Sequence, residues 1–297
     1  NNERLSVGLQ GVGVSERAYQ HALAYARERI QSRKIDGGSP DPVAIIEHPD
    51  VRRMLLDMKA QTEATRALAY YVAAELDVAE RNADADRRTK AQARVDLLTP
   101  VVKAWGSDTS IDVASTGIQI HGGMGFIEET GAAQYYRDAR ITSIYEGTNG
   151  IQANDLVGRK IGRENGESIR NLIADMRADI MSLEAGEAAL THIQTRVLGA
   201  IDDLEKATDW VVDTWGNAPG NVAASAVPFL KLLAVTSGGW LMARAHGLAL
   251  SMDDGPFRAS KLATTRFFVD HHVVTTGTLA EIVIAGSPVV QNAVFHA

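Results

Sequence analysis

Apolar residues recur at helical spacing along almost the whole chain. Leu9, Val12, Leu23, Ala26 and Ile30 fall at intervals close to 3.6 and predict a first helix over residues 4–32. Gly37, Gly38, Pro40 and Pro42 then mark a loop. A second helix opens near Pro49 and Asp50, because proline is tolerated in a first turn, and carries Met54, Leu55, Met58 and Leu68 to about Ala79. A charged connector over residues 80–90 leads to a third helix through Val95, Leu98, Val102, Trp105 and Val113. Gly122, Gly123 and Gly125 interrupt the pattern, since each glycine costs ~1 kcal/mol in a helix interior. A short helix over 130–138, a second break over 141–150 and a helix over 151–161 follow, ending in the polar run Arg163-Glu164-Asn165-Gly166.

The second half predicts helices over 168–183, 188–214, 221–252 and 257–285, punctuated by Gly216, Pro219, Gly220 and Asp253-Asp254-Gly255-Pro256. Residues 273–284 are rich in Val, Thr and Ile and have strand propensity, but their length and helical neighbours favour a helix. The pattern predicts an all-α chain of two helical bundles, over 1–163 and 164–297.

Composition narrows the function classes. The 297 residues carry a net charge of −7, which argues against nonspecific nucleic-acid binding while leaving room for a local basic groove. No cysteine is present, which removes disulfides, thiolate catalysis and zinc–thiolate sites and is compatible with a reducing cytoplasm. Asn1-Asn2-Glu3-Arg4 lacks the order of a signal peptide, and a start without methionine is expected of a chain beginning inside a longer protein. The apolar stretch over 232–250 is broken by Arg244 and His246, so no membrane span is expected. His271 and His272 are adjacent and project about 100° apart on a helix, so no metal site is expected.

Three segments could carry chemistry. In Ser143-Ile144-Tyr145-Glu146-Gly147-Thr148-Asn149 a carboxylate lies between an aromatic and a glycine, with Thr148 or Asn149 placed to cap the next helix. An apolar setting would make Glu146 a better base; an ordinary exposed loop glutamate fits the same residues. In Gln119 to Phe126, glycine amides could approach a phosphate, although the segment follows a helix and is not the dinucleotide fingerprint; a plain interhelical turn is the alternative. Arg27, Arg29, Arg33 and Lys34 could hold a pyrophosphate, or simply favour a helix C-terminus.

Taken together and in order, these segments resemble the acyl-CoA dehydrogenase family. The resemblance covers residues 1 to about 163. It is carried by Asn2-Glu3-Arg4, by Tyr25-Ala26-Arg27-Glu28-Arg29 with Gln31, and by Glu47-His48-Pro49, where proline stands in place of a frequent glutamine. Gln119-Ile120-His121-Gly122-Gly123-Met124-Gly125-Phe126 and Ile144-Tyr145-Glu146-Gly147-Thr148-Asn149 with Ile151-Gln152 are the closest matches. The resemblance implies a four-helix bundle over 1–163, preceded in the family by a helical and a β-domain, and followed here by a second helical bundle. That bundle resembles the extension of longer bacterial members, including those acting on methylthio-propanoyl-CoA, and Arg258 to Ala263 with Phe267 to His271 fits its texture as packing and assembly surface.

The resemblance also implies roles. Glu146 would remove the α-proton of an acyl-CoA thioester while a β-hydride leaves for FAD. Arg29, Gln31, Gln119, Gly122, Gly123, Thr148, Asn149 and Gln152 would bind or adjoin FAD, partly across a subunit interface. Arg4 and Gly147 would face the substrate. Electron transfer flavoprotein as acceptor, a homodimer or homotetramer, and a bacterial cytoplasmic location complete the expectation. An acyl-CoA oxidase, or a helical oligomerisation fragment without turnover, would share the scaffold.

Overall fold

The computed structural model of the chain describes residues 2–38, 40–184, 187–286 and 288–295. Its elements are helical: α1 (Asn2–Glu28), α2 (Pro49–Arg81), α3 (Ala85–His121), α4 (Gly123–Phe126), α5 (Ala132–Thr142), α6 (Asn149–Asp155), α7 (Glu167–Ser182), α8 (Ala188–Trp215), α9 (Pro219–Ala224), α10 (Ala226–Leu250), α11 (Pro256–His271), α12 (Thr276–Ile284) and α13 (Pro288–Asn292). A wide π turn, Leu156–Gly162, continues α6, with the Trp215 indole against Gly158 and Gly162. Among the described residues the nearest thing to a sheet is one isolated antiparallel bridge, Ile30 to Ala44.

The first half is the expected four-helix bundle of α1, α2, α3 and α5. Helices α1 and α3 run in the same direction: Gly8 meets Val102 near one end and Tyr25 stacks on His121 near the other. Glycines make that contact possible. A Cβ on Gly11 would lie 2.2 Å from Gly106 O, and one on Gly106 2.7 Å from Gly8 O, so the two backbones touch with no side chain between. Asp84 caps α3, its carboxylate accepting from Asp86 N and Arg87 N.

The larger of two apolar clusters runs through both halves. Leu68, Val72, Leu98 and Val102 belong to the same buried cluster as Leu172, Ile193, Leu233 and Phe268. Polar ties reinforce the joint: Glu63 of α2 accepts from Lys261 (2.6 Å) and Thr264 (2.9 Å) of α11, and His272 meets Asp57 at 2.7 Å. Helix α10 is apolar all round and forms the centre of the second half. By length and composition alone it could cross a membrane, which the interrupted stretch over 232–250 did not suggest; 78% of its most apolar window is buried inside the fold.

Boundaries depart from expectation in several places. The connector expected over 80–90 shrinks to residues 82–84, because Asp84 caps α3 at Ala85. Helix α1 stops at Glu28 rather than at 32, because Ile30, despite its spacing, is exposed and pairs its backbone with Ala44. The expected helix over 221–252 is two, broken at Ser225, whose hydroxyl donates to Val283 O at 3.1 Å. Pro228, in the first turn of α10, was the available signal for that restart. The helix expected over 257–285 breaks at His272, and residues 273–284 form one tight turn and then α12, not a strand. Gly123 and Gly125, expected outside any helix, close the single turn of α4 after the break at Gly122.

Candidate functional site

Glu146 lies in the loop between α5 and α6. Its backbone is left-handed, with φ of 54°, and Gly147 follows at 84°. A non-glycine residue there costs about 1–3 kcal/mol, so the surroundings must hold it. Two buried side chains do so from inside the fold. The Gln152 amide donates to Glu146 O (3.1 Å) and Gly147 O (3.3 Å), and Lys103 Nζ donates to Gly147 O (2.8 Å). With both carbonyls tied inward, the Glu146 side chain is left exposed. The apolar setting expected for this carboxylate is therefore not supplied by the chain itself.

Asn149 anchors the other side of the loop. Its Oδ1 accepts from Lys103 Nζ (2.9 Å), and its Nδ2 donates to Asp108 Oδ1 (2.7 Å), Ser107 Oγ (2.9 Å) and Ala104 O (3.2 Å). Thr148 holds the first position before α6 but its hydroxyl caps nothing, so neither capping expectation is met. Tyr145 reaches Gln10 of α1 through its hydroxyl. Arg4, half-buried, donates to Asp155 Oδ2 at 3.1 Å, and Arg159 bonds the same carboxylate.

Behind Asn149 lies a cavity of about 470 Å³ between α2, α3, α10 and α11, with Asp57, Asp108, Asp112, Lys231 and His272 on its walls. Asp108 and Asp112 stay exposed to this cavity, and the partial desolvation there pushes their carboxyls up. Glu146 is not on this wall, so the cavity backs the loop and does not cover the carboxylate. Among the described residues no group of three acids, histidines or cysteines converges on a metal position.

The remaining expected residues gather at the far end of the bundle. Arg29 and Gln31 follow α1, and Gln119, Gly122 and Gly123 close α3; all five are exposed. Gly122 has φ of 60° and ψ of −139°, a conformation open to glycine alone, and a Cβ on Gly122 or Gly123 would meet nothing within 4 Å. Along α3 this end is about 22 Å from Ser107 and the Glu146 loop, at 1.5 Å per residue. The candidates thus form two groups: Arg4, Glu146, Gly147, Thr148, Asn149 and Gln152 around the loop packed on the middle of α3, and the other five around its C-terminal end.

Sequence reasoning missed Lys103, Ser107 and Asp108. A signal existed: Thr99, Lys103 and Ser107 recur every fourth residue along α3, a polar stripe through and just past its apolar stretch from Leu97 to Trp105, and all three are buried.

Comparison with known proteins agrees with this architecture. Residues 1–162 match the family model described as acyl-CoA dehydrogenase, C-terminal domain, and 169–292 the model described as acetyl-CoA dehydrogenase C-terminal like. The chain is 47% identical to 3-methylmercaptopropionyl-CoA dehydrogenase of Ruegeria pomeroyi, over 91% of this chain and 47% of that protein. It is 34% identical to a butyryl-CoA dehydrogenase of Syntrophomonas wolfei, over 98% and 49% respectively. A Bacillus anthracis acyl-CoA dehydrogenase complexed with FAD shares the fold with a TM-score of 0.76 at 22% identity, over 96% of this chain and 48% of that one. The chain spans about half the length of the curated relatives it matches.

Proposed function

The chain belongs to the acyl-CoA dehydrogenase family, and from that premise we propose that Glu146 is the base that takes the α-proton of an acyl-CoA thioester. One observation carries the reading: the carboxylate is exposed on a left-handed backbone whose carbonyls are tied inward by Lys103 and Gln152. A base held in one direction avoids the entropic cost of finding its proton.

Base strength alone is insufficient, because the α-proton of a thioester is weakly acidic and negative charge builds on the thioester oxygen. That charge needs a donor. No acceptor among the described residues takes the Glu146 N–H, which is available for this role. Gly147, beside it, leaves the approach clear of a side chain.

We assign FAD as the cofactor. The residues fit a phosphate-bearing group: Arg29 is exposed with no side-chain partner among the described residues, and Gly122 and Gly123 keep the approach clear of side chains, although the Gly122 N–H is itself bonded to Gln119 O. Gln31 and Gln119 adjoin them. Bound FAD supplies the acceptor for the β-hydride. Thr148, exposed next to the base, is the loop side chain free to adjoin the cofactor, while Asn149 and Gln152 act by holding the loop. Because the two groups of residues are separated along α3, the Gly122 end serves the flavin of a neighbouring subunit in a homodimer or homotetramer. Electron transfer flavoprotein is the onward acceptor.

The test uses the polypeptide at its full natural length, loaded with FAD. The name of the 47% identical relative makes 3-methylmercaptopropionyl-CoA the first acyl-CoA to try. Glu146→Gln is expected to keep FAD and lose substrate-dependent flavin bleaching; normal bleaching in that variant would sink the assignment.

A further inference from the structure

Lys103 is the largest unexplained expense in this part of the molecule. Its side chain is fully buried in α3, and an ammonium removed from water is costly unless something repays it. An ion pair is not the answer, since no carboxylate of the described residues lies within 4.0 Å of Nζ. Its partners are neutral oxygens, Gly147 O at 2.8 Å and Asn149 Oδ1 at 2.9 Å, and both belong to the segment that carries Glu146. A methionine of similar length would fill the same volume without the desolvation cost. The charge therefore has to be explained by what it does to the loop.

We propose that Lys103 is a positioning residue for Glu146, an ammonium beneath the loop that fixes the direction of the carboxylate above it. The inference rests on the reading of Glu146 as the base. Two effects combine. Charge-assisted bonds to Gly147 O and Asn149 Oδ1 are about twice as strong as neutral ones, and they pin the chain at and just after the two left-handed residues Glu146 and Gly147. Asn149 passes the restraint on to Ser107, Ala104 and Asp108, so the loop is tied to one rigid stretch of α3. The ammonium also acts through space. Burial pulls it below its usual range; Asp108 draws it back up, Arg4 pushes it further down, and Glu146 draws it up. Glu146 is thus among the charges that Lys103 feels without touching.

The test compares Lys103→Met with the wild type in the full-length, FAD-loaded protein, using 3-methylmercaptopropionyl-CoA and butyryl-CoA as probes. Flavin reduction is followed in a single turnover and expressed per bound flavin. The expected result is a rate about 10–100-fold lower, the scale on which a displaced catalytic group is felt. Substrate affinity should change less than about three-fold, and the isotope effect with α-dideuterated substrate should rise as proton removal becomes slower. Lys103→Arg, which keeps charge and donors, should recover part of the rate. A role in stability alone predicts less flavoprotein and a lower Tm with the rate per flavin and isotope effect unchanged, and that outcome overturns the inference. If Lys103→Met yields no soluble flavoprotein, Ser107→Ala is read the same way. It removes both bonds between Ser107 Oγ and the Asn149 amide without a change of charge and should slow the rate per flavin about three-fold; an unchanged rate overturns the inference. Glu146→Gln separates the two claims. If it reduces flavin normally, the base assignment fails; if it is inert while Lys103→Met is normal, only the role of Lys103 fails.

Discussion

The Glu146 loop, packed on the middle of α3, and the Gly122 turn at the C-terminal end of that helix are built on different principles. At the Glu146 loop the chain supplies its own scaffold: Lys103, Gln152 and Asn149 occupy the interior and bond the loop from beneath. At the Gly122 end the backbone is shaped by glycine, and Arg29, Gln31 and Gln119 stand in solvent with their side chains unengaged by the described residues. The first is organised for precision within this chain. The second presents groups to something outside it.

The difference can be broken experimentally, beginning with the largest effect. Glu146→Gln should slow flavin reduction by about 10²–10⁴, the range for losing a general base, while Tm moves by no more than about 2 °C because the carboxylate is exposed. A large Tm loss would mean that the side chain holds the loop instead of being held by it. Gln152→Leu removes a fully buried donor from two carbonyls and should cost about 1–3 kcal/mol in denaturant unfolding, together with part of the rate per flavin. Gly122→Ala should cost a similar ~1–3 kcal/mol through backbone strain alone, but lower FAD content without altering the rate per bound flavin. Equal effects of these two variants on that rate would erase the distinction between the two regions.

A joint away from both regions provides a calibration. Burial pushes the Glu63 carboxyl up, but bonds from Lys261 and Lys59 outweigh it and hold it below its ordinary value of 4.5. A depressed carboxyl contributes stability that is present above 4.5 and is lost as pH falls through the folded value. Wild type should therefore lose stability on acidification more steeply than Glu63→Gln, with the rate per flavin near neutrality unaffected; parallel acid titrations would refute the assignment. The smallest effect is expected of Arg29→Ala: within about 0.5 kcal/mol in stability, yet with weaker FAD retention. Full retention of FAD would remove Arg29 from the cofactor site.

Much of this was legible in the chain because it depends on local pattern. The 3.6-residue spacing located α2 and α3, and Gly122 marked the end of α3 because only glycine adopts its backbone angles. Glu146 stood out through its neighbours Tyr145 and Gly147. Harder to see was which polar groups work inward. Asn149 and Gln152 read as groups near a cofactor, and no local signal showed that their amides also tie the Glu146 loop to α3 and to its own carbonyls. Ile30 read as a helix position, yet its side chain is in solvent. Such choices turn on which surface another element covers, and periodicity does not contain that information.

What the sequence determined by itself was the helical character, the order of the elements and the short glycine and glutamate segments, all properties of residues close together along the chain. Only the tertiary structure decided that Lys103, more than forty residues before Glu146, lies directly beneath its loop. The physical reason is the close crossing at Gly8, Gly11 and Gly106, which fixes α1 against α3, together with the amide of Asn149, which fixes α6 against the same stretch of α3. A buried ammonium is costly anywhere else in a helix; here the loop oxygens are what make it tolerable. The backbone of the Glu146 loop is held by that contact between distant segments, whereas the segment itself was marked by the residues beside it.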